Sequence, residues 1–187
     1  MGMKLRSDMA VLKSLAFGVL FTLVFATARA QEAVGAPAGG NATNAGGANA
    51  ITQAAVQKGV MNCVSRINQV SNFLGYSPQA GAVLMLPPNQ TDQRLVPLAM
   101  EVPTDTGSAY VSATFAPNQA NGCGAAYDAV VYWPQSCDEV ASKQFATLKK
   151  VGPLRQNITM LDGGLATKVF LMPAGSGCVS IKKEVVL

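Results

Sequence analysis

Four cysteines carry the clearest chemistry in this 187-residue chain. They are Cys63, Cys123, Cys137 and Cys178, and no two of them have the C-x2-C spacing that zinc sites favour. The chain contains no histidine that could complete a mixed ligand set. An even number of cysteines in an exported chain is typical of disulfide pairing. The sequence therefore predicts two disulfides and no metal site.

The lack of histidine also limits the possible catalytic groups, because Ser-His-Asp and Cys-His nucleophile systems need that side chain. Ser180 and Lys183 have the S-x-x-K spacing, but residues three apart in a strand point to opposite faces of a sheet. The glycines around Cys123 and those before Cys178 match neither a phosphate loop nor a dinucleotide fingerprint. We therefore expect turns at these glycines and no cofactor.

Carboxylates are the remaining candidates for acid–base chemistry. Asp138 and Glu139 are adjacent, but they follow Ser136 at the spacing of a helix capping box, which explains both. Asp128 lies in a stretch rich in aromatic residues, where a carboxylate could act as a general acid. A carboxylate in a strand more commonly pairs with a lysine. An enzyme centred on Asp128 therefore stays an alternative, and a non-enzymatic role is favoured.

The first thirty residues have the three parts of a cleavable export signal. Lys4 and Arg6 give a basic start, residues 15–28 are largely apolar, and Ala28-Arg29-Ala30 is a small-x-small exit. The apolar stretch is shorter than the roughly 20 residues of a membrane-spanning helix. We expect cleavage after Ala30 and a periplasmic or secreted protein with no transmembrane span. An uncleaved anchor is the alternative.

Most of the net charge of +4 belongs to this predicted signal, which holds four basic residues and one acid. The remaining chain is close to neutral and carries no lysine or arginine stripe. Phosphate binding needs several clustered cations, so we expect no nucleic-acid partner.

After the signal, residues 31–50 form a leader rich in Ala, Gly and Asn that we expect to be flexible. Residues 51–187 then predict a single domain. Apolar residues at helical spacing indicate a first helix at Ile51–Leu74, and the capping box begins a second at Ser136. No internal repeat is visible. Strands are predicted at Ala82–Leu86, Leu95–Val102, Ala109–Phe115, Ala126–Trp133, Leu154–Leu161, Ala166–Met172 and Cys178–Val185.

The order α-ββββ-α-βββ predicts an α+β fold, with a mostly antiparallel sheet of about seven strands and two helices packed on one face. The fourth strand is apolar on both faces, which favours a central position. The last strand carries Lys182 and Lys183, as edge strands often do.

This topology predicts which cysteines pair. The fourth strand, about 25 Å long, separates Cys123 from Cys137. If the second helix returns the chain to the starting end, the last of three further strands begins there, at Cys178. The predicted disulfides are therefore Cys123–Cys178 and Cys63–Cys137.

These features favour a non-enzymatic binding or protein-interaction module whose partner is a protein or ligand outside the cytoplasm. A carrier that holds an apolar ligand between the first helix and the sheet is a further alternative. Tyr and Arg are the residue types most enriched at binding hot spots. The polar sides of the third and fifth predicted strands are the candidate binding residues: Tyr110, Ser112, Thr114, Arg155, Asn157 and Thr159.

The mature protein is expected to begin at Gln31 and to contain no free thiol. The intact mass of exported protein, measured with and without alkylation in the absence of reductant, checks both statements. A mass that retains residues 1–30, or an alkylated cysteine, would contradict them.

Limited proteolysis is expected to remove residues 31–50 and to leave residues 51–187 intact.

Overall fold

The computed structural model describes residues 34–35, 47–118 and 122–186. The predicted signal and most of the predicted leader lie outside these residues. In the described part of the chain, no helix has the length and apolarity needed to cross a membrane.

The described residues contain three helices: α1 at Ala50–Gln57, α2 at Val64–Phe73 and α3 at Cys137–Gln144. The predicted first helix is thus two helices, because Gly59 takes a φ of 81° just after α1 and ends it. The predicted capping box at α3 is confirmed: the Ser136 hydroxyl accepts from the Glu139 amide, and the Glu139 carboxylate accepts from the Ser136 amide.

An eight-stranded antiparallel sheet dominates the fold, and a two-residue strand extends it at one edge. An α+β fold that is mostly antiparallel sheet is therefore confirmed. The strands are β1 (Val34–Gly35), β2 (Gly81–Leu84), β3 (Val96–Thr104), β4 (Gly107–Asn118), β5 (Gly122–Trp133), β6 (Lys149–Pro153), β7 (Thr159–Asp162), β8 (Thr167–Ala174) and β9 (Gly177–Val186). The sheet order is β1-β2-β3-β4-β5-β9-β8-β7-β6.

The prediction of one strand at Leu154–Leu161 was wrong, because residues 154–158 connect the two strands β6 and β7. β6 is the edge strand of the sheet, and most of its side chains are exposed. Its ladder is also irregular between Lys150 and Gly152. An exposed edge strand lacks the apolar alternation from which strands are recognised, so β6 escaped prediction.

The disulfides join Cys63 to Cys123 and Cys137 to Cys178, with Cα atoms 5.0 Å apart in each pair. The predicted pairs Cys123–Cys178 and Cys63–Cys137 were wrong. Each strand reverses the direction of the chain, so the missed strand β6 moves Cys178 to the opposite end of the sheet. There Cys178 lies in register with Trp133, next to the start of α3.

The two disulfides mark an internal structural repeat that the sequence pattern does not reveal. In each half, a cysteine at the start of a helix pairs with the second residue of the fourth strand that follows. The first half runs through α1, α2 and β2–β5, and the second through α3 and β6–β9. Their fourth strands, β5 and β9, pair with each other, and Asp128 of β5 lies opposite Lys183 of β9. Each stands five residues after its strand's cysteine, so an approximate two-fold axis passes between them.

All three helices pack on the same face of the sheet, as predicted. A first core lies beneath α1 and α2 and includes Ile67, Leu98 and Phe115. A second, smaller core lies beneath α3 and includes Val140 and Leu171. The prediction that the last strand is an edge was wrong, since β9 lies between β5 and β8.

Removing the second disulfide should destabilise the protein strongly. It closes a loop with a sequence separation of 41 residues. The double substitution Cys137→Ser with Cys178→Ser is therefore expected to lower the free energy of unfolding by about 4 kcal/mol in the chain-entropy model. Urea denaturation measures the loss. Peptide mapping without reduction checks the pairing, and a peptide that links Cys123 to Cys178 would contradict it.

Candidate interaction surface

The open face is the face of the sheet that points away from α1, α2 and α3. Successive side chains of a strand point to opposite faces, so each strand contributes alternate residues to it. In β4 the buried residues Val111 and Ala113 point to the helices, and Tyr110, Ser112 and Thr114 point to the open face. Three of the six candidate binding residues therefore share this surface.

An apolar row crosses the open face at right angles to the strands. Its five members are cross-strand neighbours on β4, β5, β9, β8 and β7, and four strand spacings of about 4.8 Å make the row about 19 Å long. Tyr110 is 53% exposed and the other four are half-buried. The apolar row consists of Tyr110, Val130, Ile181, Phe170 and Met160.

A second apolar set lies two residues further along the strands. Tyr132, Val179 and Met172 are cross-strand neighbours on β5, β9 and β8, and Tyr132 is exposed. Gly177 lies beside this set, and a Cβ atom at that position would collide with the Tyr132 ring and the Trp133 carbonyl oxygen. The glycine thus leaves room for the tyrosine ring at the surface.

A charged row lies on the other side of the apolar row. Lys183 Nζ is 2.8 Å from Asp128 Oδ1 and donates to Oδ2 at 2.9 Å, and Lys168 Nζ is 2.8 Å from Asp162 Oδ1. The hydrogen bond from Lys168, helped by the Gly164 amide, lowers the pKa of Asp162. The charged row consists of Ser112, Asp128, Lys183, Lys168, Asp162 and Lys149.

This ion pair bears on the hypothesis of a catalytic carboxylate. Lys183 donates a hydrogen bond to Asp128 Oδ2, and its Nζ also lies at ion-pair distance from Oδ1, a buried atom with no hydrogen-bond partner. Within residues 47–118 and 122–186, no three acidic or cysteine side chains come together as a metal site requires. Asp128 therefore belongs to the charged row and forms an ion pair with Lys183.

The other three candidate residues do not join this surface. Arg155 and Asn157 lie in the connection between β6 and β7. Thr159 belongs to β7 but lies in register with the buried Leu171, so it points to the helix side. Sequence reasoning missed Ile181 and Phe170 instead. Both faces of β8 read as apolar, and only the register between β4, β5, β9 and β8 reveals which apolar residues share a row.

The seam is the junction of β5 and β9, where the two halves meet. On its helix side lies a cluster of interacting side chains, the seam cluster, which consists of Phe73, Tyr127, Lys182 and Glu184. Tyr127 donates a hydrogen bond to Glu184 and accepts one from Lys182, each at 3.0 Å. Lys182 Nζ is also 2.7 Å from Glu184 Oε2 and lies over the Phe73 ring, 5.9 Å from its centroid. These contacts connect β5, β9 and α2, and so hold the register that aligns the rows of the open face.

The seam cluster shifts the titration of its own members. Burial raises the pKa of Tyr127 and keeps the phenol neutral. Burial also opposes the charges of Lys182 and Glu184, but the hydrogen bonds among the three side chains outweigh it. The pKa of Lys182 is therefore raised and that of Glu184 is lowered. At neutral pH the cluster holds a charged pair bridged by a neutral phenol.

Two concave features lie away from the open face. A cleft of about 400 Å³ between α3 and the β6–β7 edge is lined by Phe145, Leu148 and Leu161, with the Asp138–Lys150 ion pair at its rim. The carrier hypothesis placed a ligand between the first helix and the sheet. That space is filled by the first core. A smaller cleft of about 160 Å³ lies beside Arg66 and Cys123.

No protein-family model matches the chain, and searches of curated proteins and of solved structures find no match either.

Glu184→Gln should make stability less dependent on pH. A carboxyl group whose pKa is lowered by folding stabilises the protein above its unfolded pKa of about 4.3, and this stabilisation is lost as pH falls through the folded value. Urea unfolding of both proteins should therefore show a deficit for Glu184→Gln at pH 7 that shrinks below about pH 4. Glu101→Gln, at an exposed carboxylate on β3, is the matched control. An equal deficit at pH 7 and pH 3 would contradict the assignment.

Proposed function

We propose that the protein is a non-enzymatic protein-interaction module that works outside the cytoplasm and binds its partner with the open face. The observation that carries the proposal is the apolar row, which places aromatic and aliphatic side chains side by side across five uncovered strands. Two disulfides are typical of proteins in oxidising compartments, and this supports the location.

The composition of the open face supports binding better than it supports simple solvation. Antiparallel sheets with one wet face usually alternate apolar residues inside with polar residues outside. The outer sides of β8 and β9 depart from that pattern, because they carry Phe170, Met172, Val179 and Ile181. Contiguous exposed apolar patches on soluble proteins mark interaction sites.

The rigidity of the open face supports the same function. Its strands are held by ladders on both sides, by two disulfides and by the seam cluster. A surface that is fixed before binding loses less conformational entropy when a partner docks. The charged row beside the apolar row would set the orientation of that partner, since complementary charges contribute specificity.

The position of the partner can be tested by photo-crosslinking in an exporting host. A benzophenone amino acid at position 110 or 170 should yield protein adducts, because both positions lie in the apolar row. The same amino acid at position 61, an exposed apolar position between α1 and α2, is the matched control and should yield fewer. Adducts confined to position 61 would contradict the proposal.

Truncation of the aromatic anchors should weaken binding without unfolding the protein. Tyr110→Ala and Phe170→Ala are each expected to weaken affinity for the cross-linked partner about five-fold or more, equal to about 1 kcal/mol. Leu165→Ala, at a fully exposed position in the β7–β8 hairpin, is the control and should bind as wild type. Calorimetry gives the affinities, and unfolding curves check the fold. Wild-type affinity in both aromatic variants would exclude this surface.

A further inference from the structure

We infer that the partner on the open face is a second copy of this chain, docked face to face about a two-fold axis that runs parallel to β5 and β9. The inference depends on the proposed function and names the partner for the same surface. Such an axis lies over the seam between the two strands and places β9 of one copy above β5 of the other. The rotation leaves the position of each residue along the strand direction unchanged and moves the residue to the opposite side of the β5–β9 seam.

Four of the five residues of the apolar row are self-complementary under this rotation. From β4 to β8 it reads aromatic, β-branched, β-branched, aromatic: Tyr110, Val130, Ile181, Phe170. The rotation reverses the row, so Val130 of each copy faces Ile181 of the other, and Tyr110 faces Phe170. Side chains of matching type and size therefore meet at these four positions, and Met160 of each copy lies over Glu101 of the other. Sheets that pack face to face in this aligned way lie about 10 Å apart, a distance that two layers of such side chains fill.

The charged row selects the same axis. The rotation places Asp128 of each copy over Lys183 of the other, so the two lateral ion pairs close into a ring of four alternating charges. A two-fold axis lying across the strands along the charged row would instead place Asp128 over Asp128 and Lys183 over Lys183. Like charges brought together at an interface repel each other and disfavour that arrangement. The sign pattern thus favours the axis parallel to the strands.

The area of the face is that of a stable interface. The five strands of the apolar row and the residue levels from Tyr132 to Val185 span about 25 by 27 Å with their side chains, or roughly 700 Å². A typical specific interface buries about 800 Å² of each partner. The two outer strands β2 and β3 add further surface on the side of Glu101.

The first measurement is the mass of the exported protein in solution. Sedimentation equilibrium or light scattering between about 1 and 100 μM should show twice the mass of the mature chain, since interfaces of this size bind at micromolar concentrations or below. Phe170→Ser should shift the protein to the monomer. Leu165→Ser, at an exposed position off the face, should leave the dimer unchanged.

Charge reversal then tests the contact between the two seams. Asp128→Lys gives two lysines at the seam, and Lys183→Asp gives two aspartates, so each variant alone should dissociate about 30-fold or more readily. Mixed in equal amounts, they should form a heterodimer, because every Lys of one variant then faces an Asp of the other. The ion pair within each chain stays broken in the mixture, so only contacts between copies can restore association. Circular dichroism and unfolding curves confirm that each variant is folded.

The outcomes separate this inference from the proposed function. A monomeric wild-type protein whose open face cross-links to a different protein would overturn the dimer and keep the interaction module. A dimer unaffected by Phe170→Ser, or charge variants that stay apart when mixed, would overturn the face-to-face arrangement. A monomer with no adduct at position 110 or 170 would overturn both.

Discussion

The pairing of β5 with β9 is the interaction on which the rest of the structure depends. It is the only ladder in the described residues that joins the two four-stranded halves, and nine residue pairs form it. Its register aligns the apolar and charged rows across the whole sheet. Side chains reinforce it on both faces, with Lys183 and Asp128 on the open face and Lys182, Tyr127 and Glu184 on the helix side. A slip of one residue would exchange these two faces.

The disulfides do not connect the two halves. Each one lies within a half and fixes a helix to the fourth strand of that half. The seam between the halves is therefore held by hydrogen bonds, ion pairs and the cation–π contact of Lys182 with Phe73. This explains why polar side chains concentrate there. Separate cores lie on either side, and the seam cluster satisfies the polar groups between them.

Local patterns in the sequence predicted local structure well. The alternation in β4 and the capping box of α3 are properties of neighbouring residues, and both predictions were correct in place and orientation. β6 was missed because an exposed edge strand needs little apolar alternation. That single omission also reversed the inferred direction of β9, and with it both disulfide pairs. The candidate surface was predicted only in part for a related reason. The neighbours of Tyr110 across the sheet come from β5, β9, β8 and β7, and no local pattern encodes the register between such distant segments.

The lysines of β9 show how a correct observation can lead to a wrong position. Lys182 and Lys183 resemble the charges that protect edge strands, yet each has its own acidic partner. Lys182 pairs with Glu184 on the same strand, and Lys183 pairs with Asp128 on β5. Charge in a strand is compatible with a central position when both faces offer a counterion.

The approximate two-fold axis between Asp128 and Lys183 has a consequence for how the two halves relate to each other. If the halves were identical, the residue beside the axis would face its own twin, and a charge there would meet a like charge. Only halves that differ in sequence can place an acid on one side of the axis and a base on the other. Covalent linkage in one chain permits that difference. The salt bridge at the centre of the sheet is thus possible because the two halves differ in sequence at this position.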